Sequence, residues 1–125
     1  MRYLLLLYGE SVRPETLTPD QWQGVIEAHG TFHRELTDAG ALVDSSPVAP
    51  PTEARTLRTR NGEQLVVDGP FAETKEVLGG YYLIEAESLD AAVDWAKRLR
   101  HEVDGSIEVR PLLELGVDSG PPGSS

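Results

Sequence analysis

Two stretches of the chain are apolar at successive positions rather than alternate ones. Tyr3-Leu4-Leu5-Leu6-Leu7-Tyr8 and the centre of Gly79-Gly80-Tyr81-Tyr82-Leu83-Ile84-Glu85-Ala86-Glu87 are far too short to span a membrane. They are also too continuous for strands with one wet face, and so predict two central strands covered on both sides. Between them the period changes. Trp22, Val25, Ile26, Phe32 and Leu36 recur at helical spacing after Thr18-Pro19-Asp20-Gln21, which offers an N-cap, a first-turn proline and a capping-box glutamine. Ala39-Gly40 supplies the stop, so a helix is predicted over 19–39.

Weaker signals fill in the rest. Residues 41–48 can form a second strand, which Pro47, Pro50 and Pro51 then interrupt. Residues 54–60 and 63–68 alternate across Asn61-Gly62, a strong type I′ hairpin signal, and read as an insertion. Ser88 caps a second helix with a stripe of Leu89, Ala92, Val93, Ala96 and Leu99. A last strand is predicted over 106–115, with Pro111 favouring an edge position. The Gly/Pro/Ser tail over 116–125 has nothing to bury, so one domain over 1–115 is expected. Strand, helix, strand, hairpin, strand, helix, strand is an α+β plan, a ferredoxin-like split βαβ with an inserted hairpin. Two helices cover only one face of such a sheet, so the second face of the central strands calls for a second subunit, and a homodimer is expected.

Composition narrows the partners. Eleven Lys+Arg against 21 Asp+Glu leave a net charge of -10, which repels phosphate backbones and anionic lipid, so neither nucleic acid nor membrane is an expected partner. With no cysteine there is neither a disulfide nor a thiol nucleophile. The opening apolar run is shorter than the core of a secretory signal and lacks a small-residue cleavage site, so a soluble, cytoplasmic protein is expected.

Candidate chemistry concentrates in Asp68-Gly69-Pro70-Phe71-Ala72-Glu73-Thr74-Lys75-Glu76, a dense set of charges and turn formers between two apolar strands. A plain turn accounts for much of it: Asp68 can accept a downstream N–H, Gly69 can take positive φ and Pro70 fixes the next one. Read functionally, Asp68 is a candidate catalytic carboxylate, with Gly69, Pro70, Phe71, Glu73 and Lys75 lining a cleft around it. His29 lies on the apolar stripe of the first helix, where a hydrogen-bonded core histidine and a general acid or base are the two alternatives. Beside Asp68 its imidazolium would be favoured and its tautomer fixed. His29 and His33 have i,i+4 metal-ligand spacing, but no third ligand accompanies them, so no metal is expected. Tyr8, Tyr81 and Tyr82 could line a cleft with phenol hydroxyls or simply pack, and Tyr8 and Tyr81 are the ligand-binding candidates among them. Arg110 is a possible anion contact or an edge-strand charge that deters aggregation.

The nine-residue segment from Asp68 to Glu76, followed by Gly79-Gly80-Tyr81-Tyr82-Leu83-Ile84, resembles the signature of DGPF-domain proteins in the YCII-related (YciI-like) superfamily. Arg2-Tyr3-Leu4-Leu5-Leu6-Leu7-Tyr8-Gly9 and Gly105-Ser106-Ile107-Glu108-Val109-Arg110-Pro111 are similar to the same family. The resemblance implies a ferredoxin-like fold paired as a dimeric α/β barrel; no cofactor is expected. It also implies two functional classes. Some relatives have been proposed as enzymes using a His–Asp pair, which would fall on His29 and Asp68, and one branch includes a chloromuconolactone dehalogenase. DGPF-domain proteins also resemble partners of extracytoplasmic-function sigma factors, which implies a non-catalytic regulatory module. An enzyme or binding protein for an unspecified small molecule and a sigma-factor partner are thus the two expectations.

Overall fold

The computed structural model describes residues 1–9, 17–72, 75–99 and 105–114. Its strands are β1 (Arg2–Gly9), β2 (Leu42–Pro47), β3 (Arg55–Arg60), β4 (Glu63–Asp68), β5 (Val77–Glu85) and β6 (Gly105–Pro111), and its helices are α1 (Pro19–Asp38) and α2 (Leu89–Lys97). The tail expected over 116–125 and most of the loop after β1 lie outside the described residues. Strands β2, β5, β1 and β6 form one antiparallel sheet in that order, which is the ferredoxin-like arrangement of two split βαβ units. Strands β3 and β4 form a separate two-stranded sheet.

Local chemistry sets the element ends. Thr18 accepts from the backbone of Gln21 while the Gln21 side chain accepts from the backbone of Thr18, so two of α1's first N–H donors are satisfied. Gly40 takes φ +69° just past the helix, a conformation that costs a glycine nothing. Ser88 caps α2 through Ala91. Asn61 at φ 52° and Gly62 at φ 79° make the tight turn between β3 and β4.

The core lies between one face of the large sheet and the helices. Tyr3, Leu5 and Leu7 of β1 and Tyr82 and Ile84 of β5 meet Phe32 and Leu36 of α1 and Ala92 and Ala96 of α2. The buried stripe of α1 is narrower than expected: Val25, Phe32 and Leu36 are buried and His29 half-buried, whereas Trp22 and Ile26 are exposed. Steps of four, three and four residues keep 25, 29, 32 and 36 on one line, and Ile26 sits about 100° away from it. On α2, Leu89 is likewise exposed, and the small Ala92 and Ala96 form the contact line.

The other face of the sheet carries Leu4, Leu6 and Tyr8 from β1 and Tyr81 and Leu83 from β5, all half-buried. The strand registers place them in rungs. Arg110, Leu4, Leu83 and Asp44 share one, and Glu108, Leu6, Tyr81 and Ser46 share the next. Both central strands are thus apolar on two faces, as their composition requires. No helix among the described residues is long and apolar enough to cross a membrane.

Candidate functional site

Adjacent strand residues point to opposite sides of a sheet, so Tyr81 and Tyr82 serve different surfaces. Tyr82 faces the helices, 6% exposed, and its hydroxyl lies 2.7 Å from His29 Nδ1. The two rings are stacked with centroids 5.9 Å apart, while Phe32 meets Tyr82 edge-on at 4.9 Å. Burial pushes the Tyr82 phenol up to about 12, so it stays protonated at neutral pH. This is the geometry of a core histidine that satisfies a buried hydroxyl.

Asp68 stands elsewhere. Its carboxylate is 95% exposed at the end of β4 and pairs with Arg55 across the hairpin at 3.6 Å. In the single chain His29 and Asp68 are not brought together. Gly69 takes φ +96°, donates its N–H to the Ala54 carbonyl at 2.8 Å, and accepts from the Thr56 hydroxyl at 2.8 Å. Of the turn chemistry expected of the Asp-Gly-Pro segment, the positive φ at Gly69 is present, while the hydrogen bonds that hold the turn run through the Gly69 backbone and not to the Asp68 carboxylate. Pro70, Phe71 and Lys75 are exposed, and Glu73 lies outside the described residues. Phe71 has the Arg58 guanidinium 5.6 Å from its ring centroid and its carbonyl accepts from Arg58 at 3.3 Å.

The polar groups that converge are on the open sheet face. Tyr81 donates to Asp44 Oδ2 at 2.9 Å, and this hydrogen bond raises the tyrosine pKa, because losing the proton would leave two negative oxygens side by side. One rung-length away, the Ser106 hydroxyl donates to the Glu76 carboxylate at 2.9 Å, beside Tyr8. Arg110 pairs with Glu108 and Arg2 with Glu85, the latter at 2.9 Å. Between these pairs the surface is leucine. Asp44 and Ser106 could not have been singled out from the sequence, because only the strand register reveals which residues face Tyr81 and Tyr8.

No group of three or more His, Asp or Glu among the described residues is arranged to hold a metal ion. A shallow groove of about 510 Å³ opens where the end of α1 meets α2, lined mainly by alanines and Trp95, with none of the expected site residues along it.

The chain matches the model of the YCII-related domain over residues 1–116. It belongs to the YCII-related family. It is also similar to the uncharacterized protein R00369 of Rhizobium meliloti (strain 1021), at 40% identity over 114 residues that cover 90% of this chain and 92% of that one. The match takes in β1, the β4–β5 motif and β6 alike, so the YCII-related unit is the whole described sheet with its hairpin and not the motif alone.

Proposed function

We propose that this YCII-related chain acts as a homodimer in which a second copy closes the open sheet face over a small-molecule site, with Tyr81, Asp44 and Tyr8 orienting the ligand. The observation that carries this reading is the Tyr81–Asp44 hydrogen bond, 2.9 Å long, at the border of a floor made by Leu4, Leu6 and Leu83. An apolar floor with a few converging polar groups is the usual make-up of a small-ligand site. Helices cover only one side of the sheet, and a floor of half-buried leucines favours a second layer over the other. The exposed Asp68 and the inward-facing His29 support binding on this face over acid–base chemistry between those two residues.

A thermal-stability screen against small carboxylates, lactones and phosphorylated metabolites tests the reading, since a ligand at 100 times its dissociation constant adds about 2.7 kcal/mol. A hit is expected to lose its effect in Tyr81→Phe and keep it in Asp68→Asn. A ligand that stabilises Tyr81→Phe as well as the wild type would overturn the assignment of the site. A monomer at micromolar concentration with no small-molecule response would favour an interaction module, such as a sigma-factor partner, instead.

A further inference from the structure

The hairpin of β3 and β4 bonds to itself and to the loops at its base, and it leaves apolar side chains in solvent. Leu65 is 61% exposed and Phe71, at its foot, 76%. Strand register puts Arg58 opposite Leu65 and Arg60 opposite Glu63 on one side, and Arg58 lies over the Phe71 ring. That side therefore adds to its exposed leucine an exposed aromatic and two arginines, residue types enriched at protein interfaces. A two-stranded hairpin is marginal unless it packs on something.

Charge selects the partner. Three arginines against Glu63 and Asp68 give β3 and β4 a net charge of +1 within a chain of -10, so the remainder carries -11. A basic arm on an acidic body finds its complement in another copy of the same body. At the β2 border of the open face, Leu83 and the exposed Asp44 carboxylate share one rung and offer an apolar rim for Phe71 and a charge for Arg58, leaving Leu4 and Leu6 to the ligand floor. Six residues in each strand give the arm a reach of roughly 20 Å, enough to cross a neighbouring sheet. We infer that the Phe71–Arg58 side of the hairpin is an exchange arm that docks on the β2 border of the partner's open sheet face. This rests on the homodimer reading and assigns Phe71 of the Asp-Gly-Pro-Phe segment its role, as the anchor of that arm.

Sedimentation equilibrium on wild type, Phe71→Ala and Arg58→Glu tests it. Each substitution should weaken dimerisation roughly tenfold or more, the second most strongly at low salt, while the monomer's far-UV spectrum and melting stay unchanged because neither side chain fills the core. The chain has no cysteine, so single-cysteine variants report contacts cleanly. An oxidised mixture of Phe71→Cys and Ser46→Cys chains should give disulfides between unlike chains. Wild-type dimer strength in both arm variants overturns the arm while leaving the homodimer standing, and disulfides only between two Phe71→Cys chains would show arms meeting each other and overturn it too. A monomeric wild type overturns both readings.

Discussion

Replacing Tyr82 by Phe tests whether the His29–Tyr82 pair is structural, because it deletes one oxygen and leaves the packing in place. The phenyl ring keeps its stack on His29 and its edge contact with Phe32, so the change is confined to a 2.7 Å hydrogen bond. A net intramolecular hydrogen bond is worth about 0.5–1.5 kcal/mol. His29 is only half-buried, so its ring can rehydrate, and we expect a loss of about 1 kcal/mol. For a domain of this size that is roughly 4 °C in melting temperature. The pH dependence gives a second signature. Burial pushes the folded Tyr82 phenol up to about 12, above the ordinary tyrosine value of 10.0. The protonated phenol is what the fold favours, so its contribution is complete below pH 10 and is lost as pH rises from 10 through about 12. Denaturant melts between pH 9 and 12 should show this decline in the wild type and its reduction in Tyr82→Phe. Both proteins should carry Tyr81→Phe, since the Asp44 hydrogen bond raises that tyrosine as well. Equal or greater stability of Tyr82→Phe together with an unchanged alkaline slope would refute the structural role.

Other perturbations have distinct expected outcomes. Leu36→Ala, at a fully buried position between α1 and the sheet, should cost about 2–5 kcal/mol by cavity formation, and a loss under 1 kcal/mol in chemical denaturation would contradict the packing. Thr18→Ala removes the α1 capping box and should cost about 1 kcal/mol, with Thr18→Ser restoring most of it in the same melts. Asp68→Asn and Asp68→Ala should both stay within about 0.5 kcal/mol of wild type, since the Arg55 pair is exposed and the turn's backbone bond runs through Gly69. A large loss for the alanine alone would restore Asp68 as the turn's acceptor. The Arg2 hydrogen bond lowers the Glu85 pKa, so its small contribution is present above the ordinary carboxylate range and fades as pH falls below it, a trend that Glu85→Gln should remove.

The fold was legible where patterns are long or chemically explicit. Residues 3–8 and 81–84 announced two-faced central strands because no charged position breaks them, and Thr18-Pro19-Asp20-Gln21 and Asn61-Gly62 encode a helix start and a turn in their own side chains and φ preferences. The inner edge of a helix stripe was less legible. Trp22 and Ile26 count as apolar in any pattern, yet the line through Val25, His29, Phe32 and Leu36 is set by where the sheet lies. The candidate site divides the same way. The Gly69 turn follows from local chemistry, whereas the Tyr81–Asp44 and His29–Tyr82 pairs join residues 37 and 53 positions apart. The first exists only through strand register and the second only through the seating of α1 on the sheet, and a bulge between Leu42 and Asp44 shifts even the parity that would have linked β2 to β5.

The strand order also dictates when the sheet can exist at all. Strand β1 is made first, yet both its neighbours, β5 and β6, come from the last half of the chain, beginning at Val77 and Gly105. At a synthesis rate of about 5–20 residues per second, β1 is out of the ribosome roughly 4–15 seconds before β5 can pair with it. During that interval a segment reading Leu-Leu-Leu-Leu between two tyrosines has no partner, and its short, uncharged apolar character is what drives strand association between chains. The two-faced strand at the centre of the mature sheet is thus left open to misassociation during synthesis, and released chains that end before Val77 should be markedly more prone to aggregate than released chains that extend past Pro111.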